Sequence, residues 1–123
     1  TARWLLLDIP IGTVWPEEAA YRATLGAVAE EAFGPTCGRL LQTAAFGLWH
    51  VVDARVTGQP VVGTVLVTGV AGWLFGWLNA RSGSLAAPML AHLAVNEAAA
   101  LAALGVQRRA KRRAGRPAAD VAR

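Results

Sequence analysis

Charged side chains are scarce in this sequence. Asp, Glu, Lys and Arg make up 16% of the 123 residues, whereas they make up roughly a quarter of ordinary soluble domains. Hydrophobic residues make up 54%, and the mean hydropathy is +0.38. This number of charges is too small to cover the surface of a soluble globule. The composition therefore predicts a membrane protein. At about 20 residues per transmembrane helix, the chain has room for one domain with about four spans.

Cysteine is nearly absent as well. Cys37 is the only one, which excludes an internal disulfide bond and a cysteine-rich metal site. The first apolar stretch, from Trp4 to Trp15, is about half a membrane span long and contains Asp8. It is too short and wrongly flanked for a secretory signal. We therefore expect further helices upstream of this chain.

Basic residues are concentrated at the C-terminal end. Residues 108–123 hold seven of the twelve cations and a single acid, Asp120. This segment follows an apolar helix and has no aromatic residues between its cations, which favours a positive-inside membrane anchor over a nucleic-acid site. We therefore expect a cytoplasmic C-terminus and no nucleic-acid partner. The predicted organisation is a transmembrane core over 1–107 and a basic, disordered tail over 108–123.

Helix-breaking and polar residues divide the sequence into four predicted helices. Pro16 is typical of a helix start, and Gly34 followed by Pro35 is typical of a helix end. The predicted helices cover residues 16–33, 36–52, 61–80 and 85–106, with polar turns at 53–60 and 81–84. Small residues on the third helix allow a neighbouring helix to approach closely: Gly69, Gly72 and Gly76. The sequence therefore predicts an all-α, polytopic transmembrane bundle.

Three polar groups interrupt these helices at helical spacing. They are Glu17 and Glu18 with Arg22, Phe46 with His50, and His92 with Asn96. In an apolar setting an unpaired polar group costs several kcal/mol, so one shared polar site inside the membrane is the simplest explanation for all three. Glu18 and Arg22 have the spacing of an ion pair on one helical face. Glu17 points about 100° away from Glu18 and can face a cavity.

Together these residue types suffice for amide hydrolysis. A carboxylate and a histidine can activate water, while a second histidine and an amide can donate to a developing oxyanion. A zinc triad of Glu17, His50 and His92 is a competing use, although the sequence has no His-Glu-x-x-His motif. A serine or cysteine nucleophile lacks a partnered base. Taken singly, each group also fits a solvated helix end or a hydrogen bond between helices.

The three motifs resemble those of the CPBP group of intramembrane proteases. This group includes CAAX endopeptidases and bacterial, Abi-like proteins linked to bacteriocin processing or self-immunity. The resemblance runs from about Ile11 to Ala103 and rests on three segments in order: Gly12-Thr-Val-Trp-Pro-Glu17-Glu18-Ala-Ala-Tyr-Arg22, Phe46-Gly-Leu-Trp-His50, and Gly83-Ser-Leu-Ala-Ala-Pro88-Met-Leu-Ala-His92-Leu-Ala-Val-Asn96. Tyr21 and Ala23 depart from the family pattern without removing a reacting group.

The resemblance implies an integral-membrane endopeptidase acting on a membrane-associated peptide. In the implied site, Glu17 and His50 activate the attacking water. The oxyanion pocket is formed by His92 and Asn96, and the supporting ion pair by Glu18 and Arg22. Members are described both as metalloproteases and as glutamate-dependent enzymes without an obligatory metal, and the ligand types here favour the second. The implied location is a bacterial cytoplasmic membrane. The competing function is a non-catalytic immunity or scaffold protein that binds a peptide in the same cavity.

Overall fold

The computed structural model describes residues 1–115, which are helical almost throughout and contain no strand. We use π for segments with the wider i→i+5 hydrogen bonding. The elements in chain order are π1 (Trp4–Asp8), π2 (Pro10–Val14), α1 (Trp15–Glu18), π3 (Ala19–Gly26), α2 (Ala27–Trp49), α3 (Val51–Thr57), α4 (Val61–Ser82) and α5 (Ala86–Ala114). The predicted all-α class is confirmed.

Residues 2–33 form one continuous helical segment. The segments π1, π2, α1 and π3 lead into α2 without an intervening turn. The predicted helix start at Pro16 is therefore wrong. In an α-helix a proline ring clashes with the carbonyl four residues earlier. The wider turn of π2, which begins at Pro10 and precedes Pro16, leaves room for the Pro16 ring, so the helix is not broken there.

Gly34 and Pro35 reverse the chain within α2, as the sequence predicts. Gly34 has φ 81° and ψ 167°, a conformation that other residues rarely adopt. The two arms of the resulting hairpin lie so close together that a Cβ on Gly38 would overlap the backbone of Glu30. The predicted helix boundary at this position is confirmed, and it places π3 beside the second arm of α2.

Two predicted helix ends are wrong, because helical structure extends further into polar sequence in both places: a separate helix, α3, follows α2 after a turn at His50, and the last helix runs on into the cationic segment. The predicted turn at 53–60 begins only at Gly58, since α3 extends through Thr57. The last helix continues to Ala114, so residues 108–114 are helical and not disordered. This segment consists of strong helix formers, and cations are favourable near a helix C-terminus. The predicted tail residues 116–123 lie outside the described residues.

Two helices within residues 1–115 are long and apolar enough to cross a membrane. They are α4 and α5, with mean hydropathies of 1.8 and 1.5 over their most apolar windows. Only 17% and 11% of these windows is buried, whereas a core helix of a soluble protein would be mostly buried. The predicted count of four spans is not confirmed, because within residues 1–115 only α4 and α5 are long and apolar enough to cross a membrane.

The distribution of polarity is inverted relative to a soluble domain. Large apolar side chains are exposed on π1, α4 and α5, including Leu6 at 73%, Val67 at 72% and Leu90 at 68%. The apolar core is small and centres on Ile9, Val14 and Ala100. Exposed apolar surface on this scale is typical of contact with lipid.

The helices α2 and α4 pack against each other through glycine. A Cβ on Gly72 would lie 2.8 Å from Phe46 Cδ1, and a Cβ on Gly76 would lie 2.8 Å from Gln42 Oε1. The space beside Gly69 is open. The predicted close approach is therefore confirmed at Gly72 and Gly76, where it brings the backbone of α4 to the polar side chains of α2.

Candidate active site

Four helical segments bring polar side chains to one buried region. Glu18 comes from α1, Arg22 from π3, Gln42 from α2 and His92 from α5, and each is 4% exposed or less. Burial of such groups is unfavourable unless each finds a partner. Their contacts show how this region is stabilised and which atoms it leaves available for chemistry.

Glu18 connects Arg22 to His92. Its Oε2 lies 3.3 Å from Arg22 Nε, which confirms the predicted ion pair, and its Oε1 lies 2.8 Å from His92 Nδ1. A carboxylate can only accept hydrogen bonds, so Nδ1 of His92 carries a proton and donates it to Glu18. This bond joins α1 to α5 and fixes the orientation of the imidazole ring. The remaining ring nitrogen, Nε2, faces Glu17.

Arg22 is enclosed by partners on several sides. One terminal nitrogen donates to the carbonyl oxygen of Gly72 at 3.4 Å. The guanidinium also lies over two aromatic rings, 4.1 Å from the centroid of Phe46 and 5.1 Å from that of Phe75. Cation–π contacts of this kind strengthen when they are removed from water. Arg22 is therefore a fixed cation that holds Glu18 in place.

Glu17 is placed differently from its neighbour. Its side chain is 17% exposed, whereas that of Glu18 is fully buried. Its Oε2 lies 3.7 Å from His92 Nε2, which is within ion-pair distance but beyond hydrogen-bond distance. Within residues 1–115 this oxygen has no hydrogen-bond partner. Glu18 is therefore the glutamate of the ion pair with Arg22, while the catalytic role predicted for Glu17 stays a prediction.

His50 lies at the end of α2 and is half-buried. Its Nδ1 is 2.8 Å from the carbonyl oxygen of Phe46, and because a carbonyl only accepts, Nδ1 donates. In the neutral ring Nε2 is then a free acceptor. The rings of His50 and His92 lie 4.8 Å and 5.8 Å from the ring of Phe46. In the described part of the chain, His50 makes no direct hydrogen bond or ion pair with Glu17.

Asn96 lies one helical turn after His92 on α5. It lines a groove of about 350 Å³ together with Thr13 and Trp4. Its side chain makes no hydrogen bond to His92 or Glu17 among the residues described. The structure thus brings Glu17, Glu18, Arg22 and His92 into direct contact, whereas His50 and Asn96 lie at the margins of this cluster.

The alternative zinc triad does not form with the side chains in these positions. Glu17 and His92 lie together, but within residues 1–115 no group of three or more His, Cys, Asp or Glu side chains is arranged to hold a metal ion. A tetrahedral zinc site needs three protein ligands around one point. Glu17, His50 and His92 are suitable zinc ligands by type, but as placed they do not form a zinc centre, and we derive no step through a metal.

Sequence reasoning missed Gln42 and Phe75. Gln42 is 2% exposed and donates from Nε2 to the Gly72 carbonyl at 3.5 Å, while Phe75 stacks on the His92 ring at 4.8 Å. A signal for Gln42 was present, since Gln42, Phe46 and His50 recur every four residues and share one face of α2. No comparable pattern marks Phe75.

Residues 1–115 are almost entirely helical, with an apolar surface, two candidate membrane helices and a buried polar cluster. These features are those of the class of integral membrane proteins with an internal site. The family model for Type II CAAX prenyl endopeptidase Rce1-like proteins matches residues 1–98, which include all three motifs. The chain belongs to this family, and the resemblance to CAAX proteases is confirmed. Membership supports a membrane-bound protease, that is, a hydrolase of peptide bonds. Searches of curated proteins and of solved structures found no match.

Proposed function

We propose that this chain is an integral-membrane endopeptidase that hydrolyses a peptide bond with a water molecule activated by Glu17 and His50. The observation that carries this proposal is the contrast between two adjacent glutamates. Glu18 is fully buried and bound to Arg22 and His92, whereas the side chain of Glu17 is 17% exposed and, within residues 1–115, makes no hydrogen bond and approaches only His92 Nε2 at ion-pair distance. A general base must reach its proton, and Glu17 is the carboxylate that is free to do so.

In the proposed reaction, Glu17 accepts a proton from water as the water oxygen attacks the carbonyl carbon of the substrate. His50 assists by accepting a hydrogen bond from the same water at Nε2, which is available because Nδ1 is bound to the Phe46 carbonyl. The proton on Glu17 then passes to the leaving nitrogen as the carbon–nitrogen bond breaks. The products are a carboxylic acid and an amine, and no covalent enzyme intermediate forms.

The developing oxyanion is stabilised by His92 and Asn96 in this proposal. Because Nδ1 of His92 is occupied by Glu18, His92 donates to an oxyanion only from Nε2 and only when both ring nitrogens are protonated. The carboxylates of Glu17 and Glu18 flank the ring, with oxygens 3.7 Å from Nε2 and 2.8 Å from Nδ1. Asn96 supplies an uncharged second donor from the next turn of α5.

The substrate proposed for this site is a membrane-associated peptide. The family name refers to prenylated proteins that end in a CAAX motif, and the apolar outer faces of α4 and α5 suit a substrate that arrives through the bilayer. The cationic end of α5 follows its apolar part directly, which supports a cytoplasmic C-terminus. No obligatory cofactor is proposed, and zinc is the alternative that the experiment below distinguishes.

The test is cleavage by the full chain in detergent, with products mapped by mass spectrometry. The substrates are a farnesylated peptide ending in CAAX, the same peptide without the prenyl group, and a library of membrane-anchored peptides. We expect cleavage of at least one anchored peptide in the presence of a chelator. Binding without cleavage would support the non-catalytic scaffold instead, and activity lost on chelation and restored by zinc would support a metalloprotease.

Variants of Asn96 give a second arm to this test. Removing one oxyanion donor typically lowers kcat by about 10² to 10³, so we expect Asn96→Ala to lose about that much with little change in KM. Asn96→Asp is expected to be worse, since a carboxylate repels developing negative charge. An active Asn96→Asp protein that contains stoichiometric zinc would overturn the metal-independent reaction.

A further inference from the structure

Gln42 occupies a position in the buried cluster that the proposed reaction does not use. Its amide is 2% exposed, and its Nε2 donates to the Gly72 carbonyl at 3.5 Å. The same carbonyl accepts from Arg22 at 3.4 Å. Two buried donors from different elements therefore converge on one backbone oxygen of α4. Such convergence restricts the position of each donor, because both must satisfy the same acceptor.

The opposite side of the Gln42 amide is confined as well. A Cβ on Gly76 would lie 2.8 Å from Gln42 Oε1, so the amide fills the space that the glycine leaves. Gln42 also precedes Phe46 by one turn, and the Phe46 ring covers the Arg22 guanidinium at 4.1 Å. The amide thus lies between the backbone of α4 and the residues that hold Arg22.

We propose that Gln42 is a positioning residue, which holds the Gly72 carbonyl and Arg22 in register and thereby, through Glu18, sets the orientation of His92. The chain of contacts is continuous: Gln42 to the Gly72 carbonyl, that carbonyl to Arg22, Arg22 to Glu18, and Glu18 to His92. The catalytic consequence of this inference rests on the proposed function, whereas its effect on His92 does not.

The first test uses the imidazole N–H protons in nuclear magnetic resonance spectra of the full chain in micelles. The chain has two histidines, and each holds its Nδ1 proton in a hydrogen bond, so each is expected to give a slowly exchanging Nδ1–H signal. In Gln42→Met, which keeps the length of the side chain but removes the amide, we expect the His92 signal to broaden or vanish. The His50 signal is the internal control, since its acceptor is a carbonyl of its own helix.

Two further variants keep this test decisive if Gln42→Met does not fold. Gln42→Glu keeps the shape and places a second carboxylate near Arg22, where it competes with Glu18, so we expect a larger loss of the His92 signal than in Gln42→Met. Gly76→Ala presses on the amide from the other side without altering Gln42. The matched control is Gln107→Met, the same substitution at an exposed position of α5. An unchanged His92 signal in every folded Gln42 variant would overturn the proposal.

The second test measures kinetics on whichever anchored peptide the chain cleaves. Small displacements of positioned groups reduce the chemical step more than binding, so we expect Gln42→Met to lower kcat by about tenfold or more and to change KM by less than about twofold. In an Arg22→Met background the same substitution should add less than about twofold, since Gln42 acts through Arg22. Full additivity would contradict that route. If no peptide is cleaved, the proposed function fails while the spectroscopic test still decides the role of Gln42.

Discussion

Around His92 charged and amide-bearing side chains are as deeply buried as the aromatic rings beside them, whereas on the outer face of α4 the most exposed side chains are valine and leucine. Glu18, Arg22 and Gln42 are each 2% exposed or less, while Val62 and Val67 are 73% and 72% exposed. In water this arrangement would be unstable on both counts. We infer that a few polar pairs and glycine contacts determine how these helices pack, because in lipid there is no hydrophobic driving force that brings apolar side chains together.

The largest effect on stability is expected from breaking the interior pair. Replacing Arg22 by Met removes the cationic partner of the buried Glu18 carboxylate and leaves it with only the hydrogen bond from His92, and breaking a buried ion pair in this way typically costs about 3–5 kcal/mol. The matched control is Arg3→Met at the exposed Arg3–Asp8 pair, where 83% of the Arg3 side chain is accessible and a loss of at most about 1 kcal/mol is expected. Thermal unfolding in detergent measures both. Equal losses of stability in Arg22→Met and Arg3→Met would contradict the claim that the buried ion pair stabilises the fold more than the exposed one.

The outer face is tested by placing a charge on it. Val70 is 64% exposed near the middle of α4, and Val70→Arg is expected to disfavour membrane insertion by about 2.5–3.5 kcal/mol. Val70→Leu at the same position should insert normally. A glycosylation-based insertion assay reports the inserted fraction of each variant. If Val70→Arg inserts as well as wild type, the outer face of α4 does not contact lipid.

The smallest of these effects on stability is expected from overpacking the contact between Gly72 of α4 and Phe46 of α2. Gly72→Ala places a methyl group 2.8 Å from Phe46 Cδ1, and overpacking of this kind typically costs about 1–3 kcal/mol. Gly69→Ala, one turn earlier on the same helix, enters open space and is expected to be neutral or slightly stabilising. A lower melting temperature for Gly69→Ala than for Gly72→Ala would contradict the packing described here.

The parts of the fold that depend on local chemistry could be predicted from the sequence. Glycine before proline at 34–35 sets the chain reversal, and the apolar run from Val61 onward sets α4. The i,i+4 spacing of Glu18 and Arg22 gives their ion pair. The predicted helix end near Val106 is wrong because the cationic residues that follow are good helix formers, and exposure to water does not prevent them from extending α5.

The contacts that define the site depend on tertiary structure and were not predictable in the same way. The bond from Glu18 to His92 joins residues 74 positions apart, and spacing along a helix says nothing about such a pair. Gln42 donates to the Gly72 carbonyl, and a pattern of side chains in the sequence cannot reveal a contact with a backbone atom. The roles proposed for His50 and Asn96 stay predictions, since neither side chain touches Glu17 among the residues described.

The most direct test of the account compares two glutamates that differ in environment. Glu17→Gln removes the free carboxylate without changing its size, and loss of a general base typically lowers kcat by about 10² to 10⁴. Glu31→Gln makes the same change at an exposed position of α2 and is the matched control. On an anchored peptide that wild type cleaves, the account predicts near-complete loss of turnover in Glu17→Gln, with unchanged melting temperature, and full turnover in Glu31→Gln. Wild-type turnover by a folded Glu17→Gln protein would contradict it.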